Sequence, residues 1–154
     1  MRLGHEEVLE RDVELRVLSL GAGVQSSTLL FKVLHEEIAP VDIAIFADTG
    51  NEPKEVYDWV DYLKKEAKGK VEIRTVHNDR NTGSIYDDIL AADGWFAGIP
   101  VYTKNREDNS DGMSRRQCTD RYKIQPILKE VRNILGVENL RDRCVEMVIV
   151  SYGD

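Results

Sequence analysis

The segment Ser19-Leu-Gly-Ala-Gly-Val-Gln-Ser-Ser27 constrains the fold of this chain more than any other stretch. It begins at the end of residues 13–20, an apolar run with β-branched members. It overlaps the start of residues 25–37, whose leucines and valine recur at helical spacing. Two glycines between a strand and a helix allow a tight turn and let the backbone approach a ligand closely. The segment therefore predicts a strand, an anion-binding turn and a helix in succession.

The remaining sequence continues this alternation. Strands are predicted at residues 13–20, 41–47, 71–77 and 144–151; helices at 25–37, 53–69, 84–92 and 114–136, the last with a break near Pro126; and a long loop at 93–113. The order predicts an α/β fold with a doubly wound parallel sheet, right-handed crossovers and flanking helices, in one domain over residues 1–154. Ligands of such sheets bind at the carboxyl ends of the strands. Because the chain stops at the tip of a predicted buried strand, we expect it to be a piece of a longer protein.

The helix after the glycine turn opens with Gln25, Ser26, Ser27 and Thr28. Unpaired N–H groups and the helix dipole favour a negative charge at such a helix start, which suits a phosphate. The turn lacks the Gly-Lys-Ser/Thr ending of a Walker A loop and the third glycine of the dinucleotide fingerprint. The alternative is a simple tight turn with Ser26 or Ser27 as the helix cap. The position at the first strand tip favours the phosphate site.

Charge and composition disfavour some classes of binding partner. The net charge of −7 disfavours nucleic acid as a ligand of the whole surface. The first twelve residues are mostly charged and do not resemble a signal peptide, and no apolar run is long enough to cross a bilayer, so we expect no membrane partner. Cys118 and Cys144 form neither a CxxC pair nor a disulfide framework, and the three histidines have no metal-ligand spacing. These features predict a cytoplasmic protein.

Two further positions are candidates for chemistry. Asp48 and Thr49 follow the second predicted strand, where Asp48 either contacts a ligand or only forms an Asx turn before Gly50. Cys118 lies among arginines that would favour its thiolate form, the alternative being a buried structural cysteine. A basic stretch surrounds it, which either binds a second anionic group of a ligand or is a solvated helix face. Its members are Lys104, Arg106, Arg115, Arg116, Arg121 and Lys123.

Three segments together resemble a known family. Residues 21–26 fall on the six places of the PP-loop of ATP pyrophosphatases, usually written Ser-Gly-Gly-x-Asp-Ser. Phe46-Ala-Asp-Thr-Gly-Asn-Glu-Pro53 and Arg116-Gln-Cys-Thr-Asp-Arg-Tyr-Lys-Ile-Gln-Pro126 resemble motifs of the branch that contains phosphoadenosine phosphosulfate (PAPS) reductases. The resemblance implies a Rossmann-like fold of the adenine nucleotide α-hydrolase type and an adenine nucleotide, ATP or PAPS, as ligand.

The resemblance also implies roles for particular residues. The phosphates would contact Ser19, Gly21, Ala22, Gly23, Gln25, Ser26 and Ser27, and the rest of the ligand Asp48, Thr49, Arg116 and Lys123. Cys118 and Lys123 would be catalytic candidates, and Asp48 a candidate Mg²⁺ ligand. Gln25 stands where the family motif has aspartate, the C-terminal Glu-Cys-Gly segment of the reductases is absent, and two cysteines cannot hold a four-cysteine iron–sulfur cluster.

Three functions follow as hypotheses. The first is an enzyme that exposes the α-phosphate of ATP to attack, with release of pyrophosphate and formation of an adenylated intermediate. The second is a sulfite-forming PAPS reductase that uses a thioredoxin-like reductant or another sulfur donor. The third is a non-catalytic nucleotide-binding module, which the loss of the motif aspartate favours.

Overall fold

The computed structural model describes residues 13–79, 82–91, 102–105, 109–113, 117–141 and 143–148. The strands are β1 (Leu15–Ser19), β2 (Ile43–Asp48), β3 (Glu72–His77), β4 (Tyr102–Lys104), β5 (Asp111–Met113) and β6 (Val145–Val148). The α-helices are α1 (Val24–Leu34), α2 (Lys54–Glu66), α3 (Ile85–Leu90) and α4 (Gln125–Leu135), and a π-helical segment, Asp120–Ile124, leads into α4.

Four strands form one parallel sheet in the order β3-β2-β1-β6. In the register of β1 with its two neighbours, Val17 lies opposite Ile43 of β2 on one side and Met147 of β6 on the other. The chain therefore builds the sheet outwards from β1 in one direction through β2 and β3, and returns to the other side of β1 with β6. The predicted parallel sheet with flanking helices is confirmed.

Helices cover both faces of this sheet, because successive side chains of a strand point to opposite faces. Leu18 belongs to a core cluster with Leu30 of α1 and Leu63 of α2, all three completely buried. Its neighbour Val17, equally buried, belongs to a second cluster with Val131 of α4. Burying one such aliphatic side chain contributes about 1.5–3 kcal/mol. The apolar residues of β1 and β2 thus serve two cores at once. In β2 the apolar run from Ile43 to Ala47 is continuous, because both faces of that strand are covered.

Two predictions about the second half of the chain need correction. Residues 93–113 were expected to form a structureless loop, but β4 and β5 within that stretch pair in antiparallel fashion, with Thr103 opposite Gly112. Strands of three residues are too short to leave a periodic signal. The other residues of that stretch, apart from 105 and 109–110, lie outside the described part of the chain, as does Ser114, where the last helix is expected to begin.

The expected break near Pro126 is also wrong. Thr119, Ile124 and Gln125 all have right-handed helical backbone angles, so the π-helical segment continues directly into α4. Gln125 donates its N–H to the carbonyl of Asp120, five residues earlier, and Pro126, which has no N–H, stands in the first turn of α4. None of the helices within the described ranges combines the length and the apolar character that crossing a bilayer requires.

Candidate functional site

The glycine turn joins the carboxyl end of β1 to the start of α1. Leu20, just beyond β1, donates its N–H to the carbonyl of Ile45 at 2.9 Å, which fixes the turn beside β2. Ala22 adopts a positive φ of 56°, an uncommon conformation for a residue with a Cβ. Gly23 caps α1 with extended backbone, and its carbonyl accepts the first helical hydrogen bond, from the N–H of Ser27 at 3.0 Å.

Among the residues that the structure describes, six consecutive backbone N–H groups in this turn have no partner. No hydrogen bond within the described part of the chain uses the N–H groups of residues 21–26, and no side chain caps α1. Gly21, Gly23, Val24 and Gln25 are exposed, so solvent or a ligand reaches the turn. The positive end of the α1 dipole lies at the same place. Such a set of donors can hold an anion with several oxygen atoms, such as a phosphate chain.

The serines after the turn are buried and oriented by their neighbours. Ser26 donates its hydroxyl to the carbonyl of Gly23 at 3.3 Å, and the Oγ of Ser27 accepts the indole N–H of Trp59 at 2.9 Å. Neither serine is the helix cap, since Gly23 occupies that position. Ser27 therefore fastens α2 to the first turn of α1 and keeps the two helix starts adjacent.

Asp48, the last residue of β2, lies at the same edge of the sheet. Its Oδ1 accepts the N–H of Gly50 at 2.8 Å and the hydroxyl of Tyr57 at 2.9 Å, so the Asx turn that was the alternative interpretation is present. Its Oδ2 lies 3.6 Å from Nδ1 of His77, an ion pair only when His77 is protonated. Burial, followed by the hydrogen bond to Asp48, raises the pKa of Tyr57, which keeps that phenol a donor. One carboxylate oxygen thus holds the turn, and the other faces the tip of β3.

A third contact brings a distant segment to this edge. Thr49 donates its hydroxyl to Oε1 of Glu52 at 3.0 Å, and Nζ of Lys123 lies 3.8 Å from the same oxygen. Lys123 belongs to the π-helical segment, more than seventy residues later in the chain. The structure therefore brings together three of the residues selected from sequence: Asp48, Thr49 and Lys123.

The other residues selected from the sequence are not part of these contacts. Ser19 ends β1 beneath the turn, and Cys118 is half-buried just before the π-helical segment. Arg116 lies outside the described residues. Cys144 is half-buried, and its carbonyl accepts the N–H of Glu14 at 2.9 Å. In the ranges that the structure describes, no three His, Cys, Asp or Glu side chains form a group that could hold a metal ion.

Sequence reasoning missed Tyr57, His77 and Trp59 as neighbours of the predicted site. His77 has no metal-ligand spacing in the sequence, but it ends β3 as Asp48 ends β2, and the register pairs the two residues directly. That shared strand-end position was the available signal. Tyr57 and Trp59 lie in the first two turns of α2, and only the packing of α2 against β2 and α1 shows which side chains they meet.

Comparison with known proteins adds no assignment. Neither the models of known families, nor the curated proteins, nor the solved structures include one that matches this chain.

Proposed function

We propose that this chain binds an adenine nucleotide and holds its phosphates on the backbone of residues 21–26. The single observation that carries the proposal is the row of six N–H groups at the exposed start of α1, none of which has a partner among the described residues. Donors of this kind need no counter-charge from lysine or arginine, because the helix dipole and the fixed N–H directions supply the attraction.

The position of this turn in the sheet supports the proposal. Strand order reverses at β1, between β2 and β6, and the turn leaves the carboxyl end of β1. Nucleotides bind at this point in doubly wound sheets. This position supports the finer class that we propose, a Rossmann-like, doubly wound fold of the adenine nucleotide α-hydrolase type. The cytoplasm, expected from the sequence, is the compartment that we propose.

The chemistry that we favour is attack on the α-phosphate of ATP. The N–H groups of the turn would stabilise charge on the phosphate oxygens, and the exposed Gln25 amide would donate to one of them. Asp48 has one oxygen committed to Gly50 and Tyr57, so its Oδ2 is the atom that would face Mg²⁺. Mg²⁺ is commonly held by one or two carboxylates together with phosphates and water, so this role does not require a cluster of three protein ligands. An acceptor would displace pyrophosphate and take the adenylyl group.

One observation favours a second candidate, reduction of PAPS. Lys123 lies at the carboxyl edge of the sheet beside Glu52, where its ammonium could meet a second anionic group of the ligand. A thioredoxin-like dithiol would supply the two electrons that convert the sulfate group to sulfite, leaving adenosine 3′,5′-bisphosphate. A nucleotide-binding module without turnover remains the outcome if neither reaction is found.

The experiment is titration calorimetry with Mg-ATP, adenosine 3′,5′-bisphosphate and Mg-GTP on the wild type and on Gly23→Ala. Gly23 has an ordinary φ of −85°, and a Cβ there would have no atom within 4 Å. The alanine variant should therefore fold, at a cost of about 1 kcal/mol or less in helix capping, while its methyl group enters the space where a phosphate would approach.

We expect the affinity for the adenine nucleotide to fall at least tenfold in Gly23→Ala and to stay unchanged in Lys68→Ala, an exposed control beyond the far end of α2. Equal affinities in wild type and Gly23→Ala would refute the site. Pyrophosphate release in the presence of candidate acceptors then separates ATP chemistry from sulfite release with a dithiol donor.

A further inference from the structure

The start of α3 is fixed to the tip of β2. Ile85 donates its N–H to the carbonyl of Thr49 at 2.9 Å. Gly50 lies so close to Ser84 that a Cβ at position 50 would be 2.8 Å from the Cα of Ser84. A side chain on α3 therefore has a fixed position relative to Asp48 and Thr49.

Asp88 in α3 is such a group. The residue is 6% exposed, and its Oδ1 accepts the backbone N–H of Thr82 at 3.0 Å and the hydroxyl of Thr82 at 2.6 Å. Its Oδ2 accepts the hydroxyl of Tyr122. A buried carboxylate requires such donors, so the bond from Tyr122 forms part of what makes the burial of Asp88 tolerable.

Tyr122 lies in the π-helical segment and is 2% exposed, one of the most deeply buried large side chains of the described core. The next residue, Lys123, points the other way: its side chain is 48% exposed and faces Glu52. Single π-helical turns inside helices frequently occur at functional sites, because they change the direction in which neighbouring side chains project. Anchoring Tyr122 inside the protein thus fixes where Lys123 emerges.

We propose that Tyr122 is a positioning residue whose hydrogen bond to Asp88 sets the direction of Lys123 at the nucleotide edge. The contacts close a ring: Thr49 binds Ile85 ahead of Asp88, Asp88 binds Tyr122, Lys123 faces Glu52, and Glu52 binds Thr49. The role for ligand binding rests on the proposed function, whereas the effect on Lys123 itself does not.

The first test uses the ligand-free protein. Lysine amines are acetylated with an N-hydroxysuccinimide ester, and the rates at Lys123 and Lys129 are followed by peptide mass spectrometry in wild type, Tyr122→Phe and Thr82→Ala. Lys129 is the internal control, because it lies on the same helical run as Lys123 and its side chain is 52% exposed and paired with Asp79. Thr82→Ala removes a donor to the other oxygen of Asp88 and leaves Tyr122 in place.

We expect Tyr122→Phe to raise the acetylation rate of Lys123 at least twofold without changing Lys129, and Thr82→Ala to change neither. A change of less than twofold at Lys123 in Tyr122→Phe would overturn the proposal. An equal increase at Lys129, or in Thr82→Ala, would also overturn it, because it would indicate general loosening of the fold.

The second test measures the affinity for adenosine 3′,5′-bisphosphate in a double-mutant cycle of Tyr122→Phe and Lys123→Met. If Tyr122 acts through Lys123, Tyr122→Phe weakens binding at least fivefold in the wild-type background. The same substitution weakens binding less than twofold when residue 123 is already methionine. Equal effects in both backgrounds would overturn a role through Lys123. If only Mg-ATP binds to the wild type, the cycle is measured with Mg-ATP. Failure of the wild type to bind both ligands would instead refute the proposed function, and the acetylation rates would still decide the positioning role.

Discussion

Gly50 links the end of β2 to the segment before α3, and its replacement by alanine tests how the edge of the sheet is held together. Its φ of +74° lies in the left-handed region, and a Cβ would come within 2.8 Å of the Cα and 2.9 Å of the Cβ of Ser84. Such distances are shorter than real Cβ contacts, so the backbone at Ser84 would have to move. That movement would strain the hydrogen bond from Ile85 to Thr49.

The expected magnitude has two parts. Alanine in the left-handed region costs about 1–2 kcal/mol. Overpacking against backbone adds about 1–3 kcal/mol, which brings the total loss in Gly50→Ala to about 2–5 kcal/mol. Gly69 provides a matched control, because its φ is +81° but a Cβ there would have no atom within 4 Å. Gly69→Ala should therefore lose only the conformational part, about 1–2 kcal/mol.

Urea unfolding followed by circular dichroism measures both variants against the wild type. With an m value of about 1.5 kcal/mol/M, the steric part should lower the midpoint of Gly50→Ala by roughly 0.7–2 M beyond that of Gly69→Ala. Nucleotide affinity should also fall in Gly50→Ala and not in Gly69→Ala, which lies after the far end of α2. Equal midpoints for the two variants would refute the contact between Gly50 and Ser84 as a source of stability.

Three other predictions follow from the packing and the ion pairs. Leu30→Ala should lower the free energy of unfolding by about 2–5 kcal/mol in the same urea assay, because Leu30 is completely buried, and a loss below 1 kcal/mol would contradict the described core. The hydrogen bond from Arg74 lowers the pKa of Glu130 below its ordinary value of 4.5. This pair should therefore stabilise the fold above about pH 4.5 and lose that contribution as the pH falls through the lowered pKa. Glu130→Gln should flatten this part of a stability–pH curve, and an unchanged curve would contradict the prediction. Trp59→Phe should destabilise the fold by about 1 kcal/mol, because the hydrogen bond to Ser27 is lost. In that background Ser27→Ala should lower stability little further. Additive losses would show that the two side chains act separately.

Local patterns predicted the first half of the fold well, because there the sequence signals are local in origin. The apolar runs placed β1, β2 and β3 to within two residues at each end. The third helix is predicted to begin at Ser84, and Ser84 caps α3, with the N–H of Asp87 donating to its Oγ at 3.3 Å. Gly136 ends α4 in the left-handed conformation, as a glycine after a helical pattern predicts. Caps and buried strands depend on a few adjacent residues, so one sequence suffices to find them.

Features that depend on distant contacts were not predictable in this way. The π-helical segment has an ordinary helical sequence, and what distinguishes it is the bond from buried Tyr122 to Asp88. The shared strand-end position of Asp48 and His77 is visible in the sequence, but their direct pairing depends on strand register, which the sequence of either strand alone does not specify.

The same division applies to the candidate site and bears on how it would select the proposed nucleotide. The donors of the glycine turn arise from local geometry, since every helix starts with unpaired N–H groups, and they can attract many anions. Discrimination among nucleotides requires groups at fixed positions beyond the phosphates, and these are the ones that tertiary contacts deliver: Oδ2 of Asp48 beside His77, and Lys123 beside Glu52. Substitutions in the turn should therefore weaken all ligands together, whereas substitutions of Lys123 or Tyr122 should change the ratio of affinities for Mg-ATP and adenosine 3′,5′-bisphosphate. A uniform loss from both kinds of substitution would mean that Lys123 adds only charge, and that specificity resides elsewhere.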